Sequence, residues 1–322
     1  MIKQISTIIV LAAASHYAVA QTKEFKFAPG WKAGDKKIAS TETQETEHKD
    51  GSLEEKGSSY SETTITVLKA NPDHYVVEIL YENTALEAAA EFYEKLGEEL
   101  KTYKNLELKY RIDKQTGHAD LINWKEAQAF MNKSFDQIDV LLKKKAPDMA
   151  SYAKLALAPI KAMLKDKENI EAYMHDAIGF LLFPYDKKFI VGDTLKITEY
   201  GANPFNPMDT IAQNTLTYLG MIDESKRLCD IHAREIFDLS GFKEMMKGMM
   251  EKMSTAFGAA DSSKTKAAKE IDSIEFDVTK HTVTTFNYGT SWPVKVVKTG
   301  KVIANAPGKK TEKLVITTIM IK

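Results

Sequence analysis

Four residues in the second half of the chain could support chemistry if their side chains met: Cys229, Asp230, His232 and Arg234. A thiol beside an imidazole pairs a nucleophile with its base, and an Asp-x-His-x-Arg row could bind an anion. The run 228–237 reads as a strand, however, and alternate residues of a strand point to opposite faces. We therefore expect Cys229 to be a small buried residue, separated from the histidine. Two interpretations of the polar row stay open: a site that binds an anion, or an ordinary solvated face.

A methionine-rich segment is the most distinctive chemical feature of the sequence. It is predicted to be a helix that is capped by Ser240 and reaches about Ala256. One face of this helix would be almost entirely methionine and phenylalanine. Such a flexible, polarizable face could line a pocket for an apolar ligand, or it could be an ordinary core face. The segment has no His or Cys that would favour a soft-metal site.

A second apolar stripe lies in a predicted helix that begins after Asn123 and includes Ile138 and Leu142. The two helices together supply the candidate ligand-binding residues. These are Trp124, Met131, Phe135, Phe242, Met245, Met246, Met249, Met250 and Met253.

Several kinds of site are not indicated. The sequence has no HExxH or CxxC spacing for zinc, no Gly-x-Ser-x-Gly elbow and no phosphate-binding glycine loop. We therefore expect no metal and no cofactor, name no catalytic residue, and favour a protein that is not an enzyme. The 44 basic residues nearly balance the 45 acidic ones and do not cluster, which argues against nucleic-acid binding.

The N-terminus has the three parts of a secretory signal peptide. Lys3 supplies a positive charge, residues 5–14 are apolar, and residues 18–20 (Ala-Val-Ala) form a small-x-small cleavage site. We expect cleavage near Ala20 and a mature protein that is soluble, lacks a transmembrane segment, and is periplasmic or extracellular. Cys229 is the only cysteine, so the chain cannot form an internal disulfide bond.

The elements that must position these residues begin twice with one pattern. Trp31 stands three residues before Gly34-Asp35, and Phe189 stands three residues before Gly192-Asp193. Each opening leads into extended segments and then an amphipathic helix. This predicts an α+β fold with internal duplication, in which a mostly antiparallel, curved, half-barrel-like sheet packs on amphipathic helices. After the signal peptide of residues 1–20, the halves would span 21–180 and 181–322 and form one compact unit.

Individual elements follow from local patterns. Asp50-Gly51 predicts a hairpin that reaches into water, and residues 74–82 and 105–113 alternate as half-buried strands. Residues 84–103 predict a helix with a capping box. The C-terminal part is predicted to form four strands, at about 271–279, 282–288, 292–303 and 312–321.

The signal peptide, the openings at Trp31 and Phe189, and the order of meander and helix resemble uncharacterised exported (periplasmic) proteins of Gram-negative bacterial envelopes. More distantly, the layout is similar to the half-barrel of lipoprotein carriers, in which an antiparallel sheet wraps over helices. The chain departs from the carriers in its length and in its duplication. The resemblance implies no catalytic residue.

Three functions stay open from the sequence. The first is an exported, non-enzymatic protein that holds an apolar or amphipathic ligand, such as a lipid, or a segment of an envelope protein, between sheet and helices. The second is a secreted hydrolase that acts on envelope or dietary polymers, suggested by export and abundant carboxylates. The third is a structural or adhesion module of the cell envelope, with the hairpin at Asp50-Gly51 as its contact.

Overall fold

A computed structural model describes residues 23–81, 105–145, 164–185, 187–203, 206–237 and 271–322, together with short pieces between them. The predicted signal peptide, the predicted helix 84–103 and most of the methionine-rich helix lie outside the described residues.

Strands dominate the described chain, and three helices follow the first group of strands. The strands are β1 (Glu24–Lys26), β2 (Lys36–Lys49), β3 (Ser52–Ala70), β4 (His74–Tyr81), β5 (Leu106–Asp113), β6 (Ala119–Leu121), β7 (Lys188–Ile190), β8 (Thr194–Asn203), β9 (Asn206–Asp223), β10 (Leu228–Phe237), β11 (Glu275–Asn287), β12 (Trp292–Ala306) and β13 (Lys309–Ile321). The helices are α1 (Trp124–Lys145), α2 (Lys167–Met174) and α3 (Asp176–Leu182).

Eleven of these strands form one sheet in the order β6-β5-β4-β3-β2-β13-β12-β11-β10-β9-β8, and β1 pairs separately with β7. Every pair in the large sheet is antiparallel. The prediction of a mostly antiparallel sheet is therefore confirmed. Within the described strands, β6 and β8 are the two edges, so this sheet is open.

The first meander follows its sequence pattern closely. Tyr75, Val77 and Ile79 of β4 are buried, and their partners on β5 across the ladder are buried as well. On β5, Glu107 and Arg111 are exposed on the opposite face. This alternation means that one face of the sheet is covered and the other contacts water.

Helix α1 covers the buried face of this meander. Asn123 stands just before the helix, as predicted, and its main-chain carbonyl accepts the first helical hydrogen bond from Ala127. Its side chain bonds to β5 at both ends, accepting from the N–H of Lys109 at 2.8 Å and donating to the carbonyl of Glu107 at 2.8 Å. These two bonds fix where the helix starts relative to the sheet. The residues of α1 that enter the core are Ala127, Met131, Phe135, Ile138 and Leu142.

The two Gly-Asp openings form matching turns. Gly34 has φ +89° and Gly192 has φ +88°, values that side-chain-bearing residues rarely adopt. The N–H of the following aspartate closes each turn, from Asp35 to Lys32 at 3.0 Å and from Asp193 to Ile190 at 3.1 Å. Each turn delivers the chain into the first strand of a meander, β2 or β8.

Aromatic residues near each of the two turns contact aromatic residues near the other turn. Trp31 packs edge-on against Tyr185 with ring centroids 5.6 Å apart, and Phe27 packs edge-on against Phe189 at the same distance. Phe27 precedes Trp31 by the same separation as Tyr185 precedes Phe189. Trp31 also stacks on Trp292 at 4.8 Å, and its indole N–H donates to the carbonyl of Ser291. The starts of both halves are thereby packed together with the turn before β12.

One local prediction was wrong. The C-terminal part has three long strands, because β11 runs unbroken through Lys280-His281, where it pairs on both sides with β10 and β12. The tip of the hairpin at Asp50-Gly51 is exposed to water, as predicted, while β2 also pairs with β13 along its length. At the hairpin tip, Asp50 donates its N–H to the carbonyl of Lys310 and accepts the N–H of Lys310 at its carboxylate.

Within the described helices, none is both long enough and apolar enough to cross a membrane.

The matching turns predict equal penalties for a side chain at Gly34 and Gly192. A Cβ built at either position meets no described atom within 4 Å, so the cost is that of the backbone conformation alone. Gly34→Ala and Gly192→Ala should each lower the free energy of unfolding by about 1–2 kcal/mol, measured by urea denaturation. Gly300→Ala, at an ordinary φ and also without a neighbour, should not lower it. A loss at only one of the two turns would show that they are not equivalent.

Candidate functional site

The structure divides the predicted ligand-binding residues into two groups. Met131 and Phe135 are fully buried in the core beneath the first meander, and Trp124 is partly buried against the same core. Met246 is half-buried. The other predicted residues, Phe242, Met245, Met249, Met250 and Met253, lie outside the described residues.

The described piece around Met246 is held by two lysines one helical turn apart. The ammonium group of Lys243 donates to the carbonyl of Asp272 at 2.7 Å. That of Lys247 lies 2.6 Å from the carboxylate of Asp272. Ile271, the residue just before Asp272, is buried. This piece is therefore fixed close to the segment that leads into β11.

Cys229 is buried, as the sequence predicts. It shares its face of β10 with Ile231 and Ala233, which are also buried. Burial raises the pKa of the Cys229 thiol to about 12, and the nearby Asp230 carboxylate adds to this effect. A thiol with so high a pKa is a poor nucleophile at neutral pH.

We call the face of the large sheet that carries the buried Ile231 and Val296 the inner face, and the opposite face the outer face. One row of side chains across the inner face is almost entirely buried. In strand order this buried row consists of Ile231, Thr284, Val296 and Ile319.

Two residues further along each strand, the inner face becomes polar. The next row, which we call the hydroxyl row, consists of Thr282, Lys298, Thr317 and Thr43 on β11, β12, β13 and β2. All four side chains are half-buried. The hydroxyls of Thr43 and Thr317 lie 3.1 Å apart and hydrogen-bond, which confirms that they share this face.

Lys298 is the only cation in the hydroxyl row and lies between two threonines. On the same face, Lys280 lies 3.7 Å from the carboxylate of Glu235, and Lys313 forms an ion pair with Glu45. Among the described residues, Lys298 has no carboxylate within ion-pair distance. The neighbouring position on β12 is Gly300, where a built Cβ meets no described atom within 4 Å. As far as the described residues go, the space next to Lys298 could therefore admit an anionic group.

Thr217 carries a buried hydroxyl on the same inner face, opposite Ala233. The side chain is fully buried, and in the described part of the chain its hydroxyl oxygen has no hydrogen-bond partner. A buried hydroxyl without a partner costs free energy, so it marks a place where a polar group could be satisfied.

The outer face of the same strands holds a pair of histidines. Nδ1 of His232 lies 3.3 Å from Nε2 of His281, so one ring donates its N–H to the bare nitrogen of the other. The ring centroids are 5.4 Å apart and the ring planes meet at 23°, so the rings are stacked. Tyr218 stacks on His232 at 4.8 Å with an angle of 4° between the ring planes. A Cβ at Gly220 would lie 2.5 Å from Nε2 of His232, so the glycine leaves room for the ring.

The surroundings of His281 disfavour a positive charge on its ring. The pKa of His281 lies below its ordinary value of 6.5, first because of partial burial and then because of His232 and Arg234. Arg234 stands directly opposite His281 across the β10–β11 ladder. Within the described part of the chain, no group of three or more His, Cys, Asp and Glu residues is arranged to hold a metal ion.

Sequence reasoning identified the polar row of Asp230, His232 and Arg234 but missed its partner His281. It also missed Lys298, which reads there as one of several lysines in a valine-rich strand. The signal that could have found Lys298 is the alternation of side chains along a strand. If Val296 is buried, Lys298, two residues later, lies on the same face.

Thr217→Val tests the unpartnered hydroxyl. Valine keeps the shape and removes the buried polar atom, so the free energy of unfolding should rise by about 1 kcal/mol. The matched control is Thr43→Val, which breaks the hydrogen bond to Thr317 and should lower it by about 1 kcal/mol. Both are measured by urea denaturation of ligand-free protein. Equal losses in both variants would show that the Thr217 hydroxyl is satisfied.

The His281 pKa predicts a pH dependence of stability. Because the folded-state pKa is lower than the unfolded-state pKa, the unfolded chain binds more protons between the two values. The free energy of unfolding should therefore fall as the pH drops through 6.5, from 7.5 to 5.5. His281→Gln should reduce this slope, whereas His118→Gln, at an exposed position, should keep it. A slope that His281→Gln leaves unchanged would contradict the assignment.

No family model and no curated protein matches this chain. Two solved structures align with 90% of this chain and 99% of their own, at 8% sequence identity. Both are of Ail, the attachment invasion locus protein of Yersinia pestis, one of them in complex with the heparin analogue sucrose octasulfate; the TM-scores are 0.15 and 0.16. Similarity at this level supports no inference about the present chain.

Proposed function

We propose that the protein binds an amphipathic molecule with an anionic head group and is not an enzyme. The head group binds at the hydroxyl row, and the apolar part packs against the protein interior. The observation that carries this proposal is Lys298, a half-buried lysine between Thr282 and Thr317 and next to Gly300, where a built Cβ meets no described atom within 4 Å.

The chemistry of the hydroxyl row suits a carboxylate or phosphate head group. An ammonium group supplies the charge, and hydroxyls on both sides donate hydrogen bonds to the remaining oxygens. A charge-assisted hydrogen bond is stronger where water is partly excluded, as it is for a half-buried lysine. The ion pairs of Lys280 and Lys313 leave Lys298 as the candidate cation.

The apolar part of the ligand would enter on the side of the hydroxyl row where the inner face is apolar. The buried row lies two residues along the same strands, with Val296 next to Lys298 on the inner face. Thr217 on the same face offers one further hydroxyl. The methionine-rich segment connects β10 to β11, and its described residue Met246 is half-buried. Methionine side chains adapt to apolar partners of varied shape, which suits a ligand-lining role.

The scaffold in this proposal is a duplicated, half-barrel-like one. Its support is the matched pair of turns at Gly34 and Gly192 and the reciprocal aromatic contacts around them. Topology adds to this, because β2-β3-β4-β5 and β8-β9-β10-β11 are both antiparallel meanders that have a long connection before the fourth strand. Export belongs to the same proposal and rests on the pattern of residues 1–20.

Lys298→Met should weaken binding of a long-chain fatty acid. Palmitate and its methyl ester would be titrated against delipidated protein in a fluorescence displacement assay. Removing a charge-assisted hydrogen bond should raise the Kd for palmitate about tenfold or more, and leave the Kd for the ester unchanged. The matched control is Lys295→Met, three residues earlier on the exposed outer face of β12.

Three results would overturn the proposal. One is wild-type protein that binds neither palmitate nor a phospholipid and releases no apolar molecule on solvent extraction and mass spectrometry. Another is equal palmitate affinity in Lys298→Met and the wild type. The third is a Lys295→Met variant that loses as much affinity as Lys298→Met, since that would indicate a general charge effect.

A further inference from the structure

The outer-face histidines form a second candidate site, independent of the hydroxyl row. We infer that His232, His281 and Arg234 form an acid-activated binding site for a divalent oxyanion such as sulfate. The site contains the charged guanidinium of Arg234, and it gains positive charge when the histidine pair takes up a proton.

The geometry of the pair is specific rather than incidental. Tyr218 covers one face of the His232 ring, and the absence of a side chain at Gly220 leaves room for its Nε2 edge. With the ring held in this way, Nδ1 is directed at His281 at 3.3 Å. The two rings share one proton between their facing nitrogens. Protonation of both rings would place two like charges side by side.

A bound oxyanion would relieve that repulsion. It would accept hydrogen bonds from both protonated rings and from the guanidinium of Arg234, which lies opposite His281 on the next strand. Arginine presents several N–H groups in a plane that matches the spacing of oxyanion oxygens. The anion would therefore stabilise the doubly protonated pair, and acid would in turn strengthen anion binding.

The other charged groups on the outer face have both signs. Asp230 on β10 accepts a hydrogen bond from Thr285 at 2.7 Å, and Glu312 on β13 pairs with Lys301 of β12 at 2.8 Å. Three further carboxylates face outward at a greater distance from the histidine pair: Glu275 and Asp277 on β11 and Glu42 on β2. Three cations of this face have no described carboxylate within 4 Å and can attract an anion: Lys196 on β8, Arg234 on β10 and Lys295 on β12.

The test is a sulfate titration at two pH values. Sulfate keeps its charge of −2 across this range, so any change in affinity reports on the protein. Calorimetry on the wild type at pH 5.5 and 7.5 should show sulfate binding at least about tenfold tighter at pH 5.5. Nitrate, a monovalent anion, should bind weakly at both pH values.

Variants separate the site from a general charge effect. His281→Gln should reduce the pH dependence, Arg234→Gln should weaken sulfate binding at both pH values, Arg234→Lys should restore part of that binding, and His118→Gln should change neither. Gly220→Ala should displace the His232 ring and weaken sulfate binding at pH 5.5. Circular dichroism at each pH confirms that the variants are folded, and histidine NMR gives a second readout, since sulfate should raise the apparent pKa of the pair. Equal sulfate affinity at both pH values, or unchanged binding in both His281→Gln and Arg234→Gln, would overturn the inference.

Discussion

The pairing of β2 with β13 is the contact on which the rest of the sheet depends. It runs from Ala39 opposite Ile321 to Lys49 opposite Thr311, and joins the first long strand of the chain to the last one. Without it, the described strands would fall into two sheets, β2–β6 and β8–β13. The hydroxyl row would then be divided between Thr43 and Thr317. Each of the two sheets would also gain an unpaired edge strand, β2 in one and β13 in the other. Because the partners are so distant in sequence, the loop-closure entropy of this pairing is large, and it must be offset by packing elsewhere.

Aromatic packing just before β2 offsets this loop-closure entropy. Trp31, just before β2, lies between Tyr185 and Trp292, while its indole N–H is bonded to Ser291. Tyr185 donates its hydroxyl to the same carbonyl. The starts of β2, β8 and β12 therefore converge on one aromatic cluster. In this arrangement the ladder between β2 and β13 can be polar. Thr43 and Glu45 need no burial, because their main chain is hydrogen-bonded to a strand on each side. Their side chains also pair with Thr317 and Lys313 on β13.

The sequence predicted those parts of the fold whose signals are local. Alternation located β4 and β5, and Asp50-Gly51 located a hairpin whose two residues both have positive φ. The break predicted near Lys280 was wrong because the apolar residues of β11 are sparse there, and only pairing with two neighbouring strands shows that the strand continues. The site required more than local pattern. His232 and His281 meet only because Arg234 lies opposite His281 in the ladder, and no periodicity within either strand determines that register.

Register also links the two faces of the sheet. Along β12, Val296 and Lys298 face inward while Lys295 and Val297 face outward; along β10, Cys229 and Ile231 face inward while Asp230 and His232 face outward. A slip by one residue would exchange these sets, burying His232 in the core and moving Lys298 to the outer face. Burial of Ile231 and Val296 opposes such a slip, since it would expose both to water. The apolar core thus fixes the position of both polar sites, although neither site contributes to it.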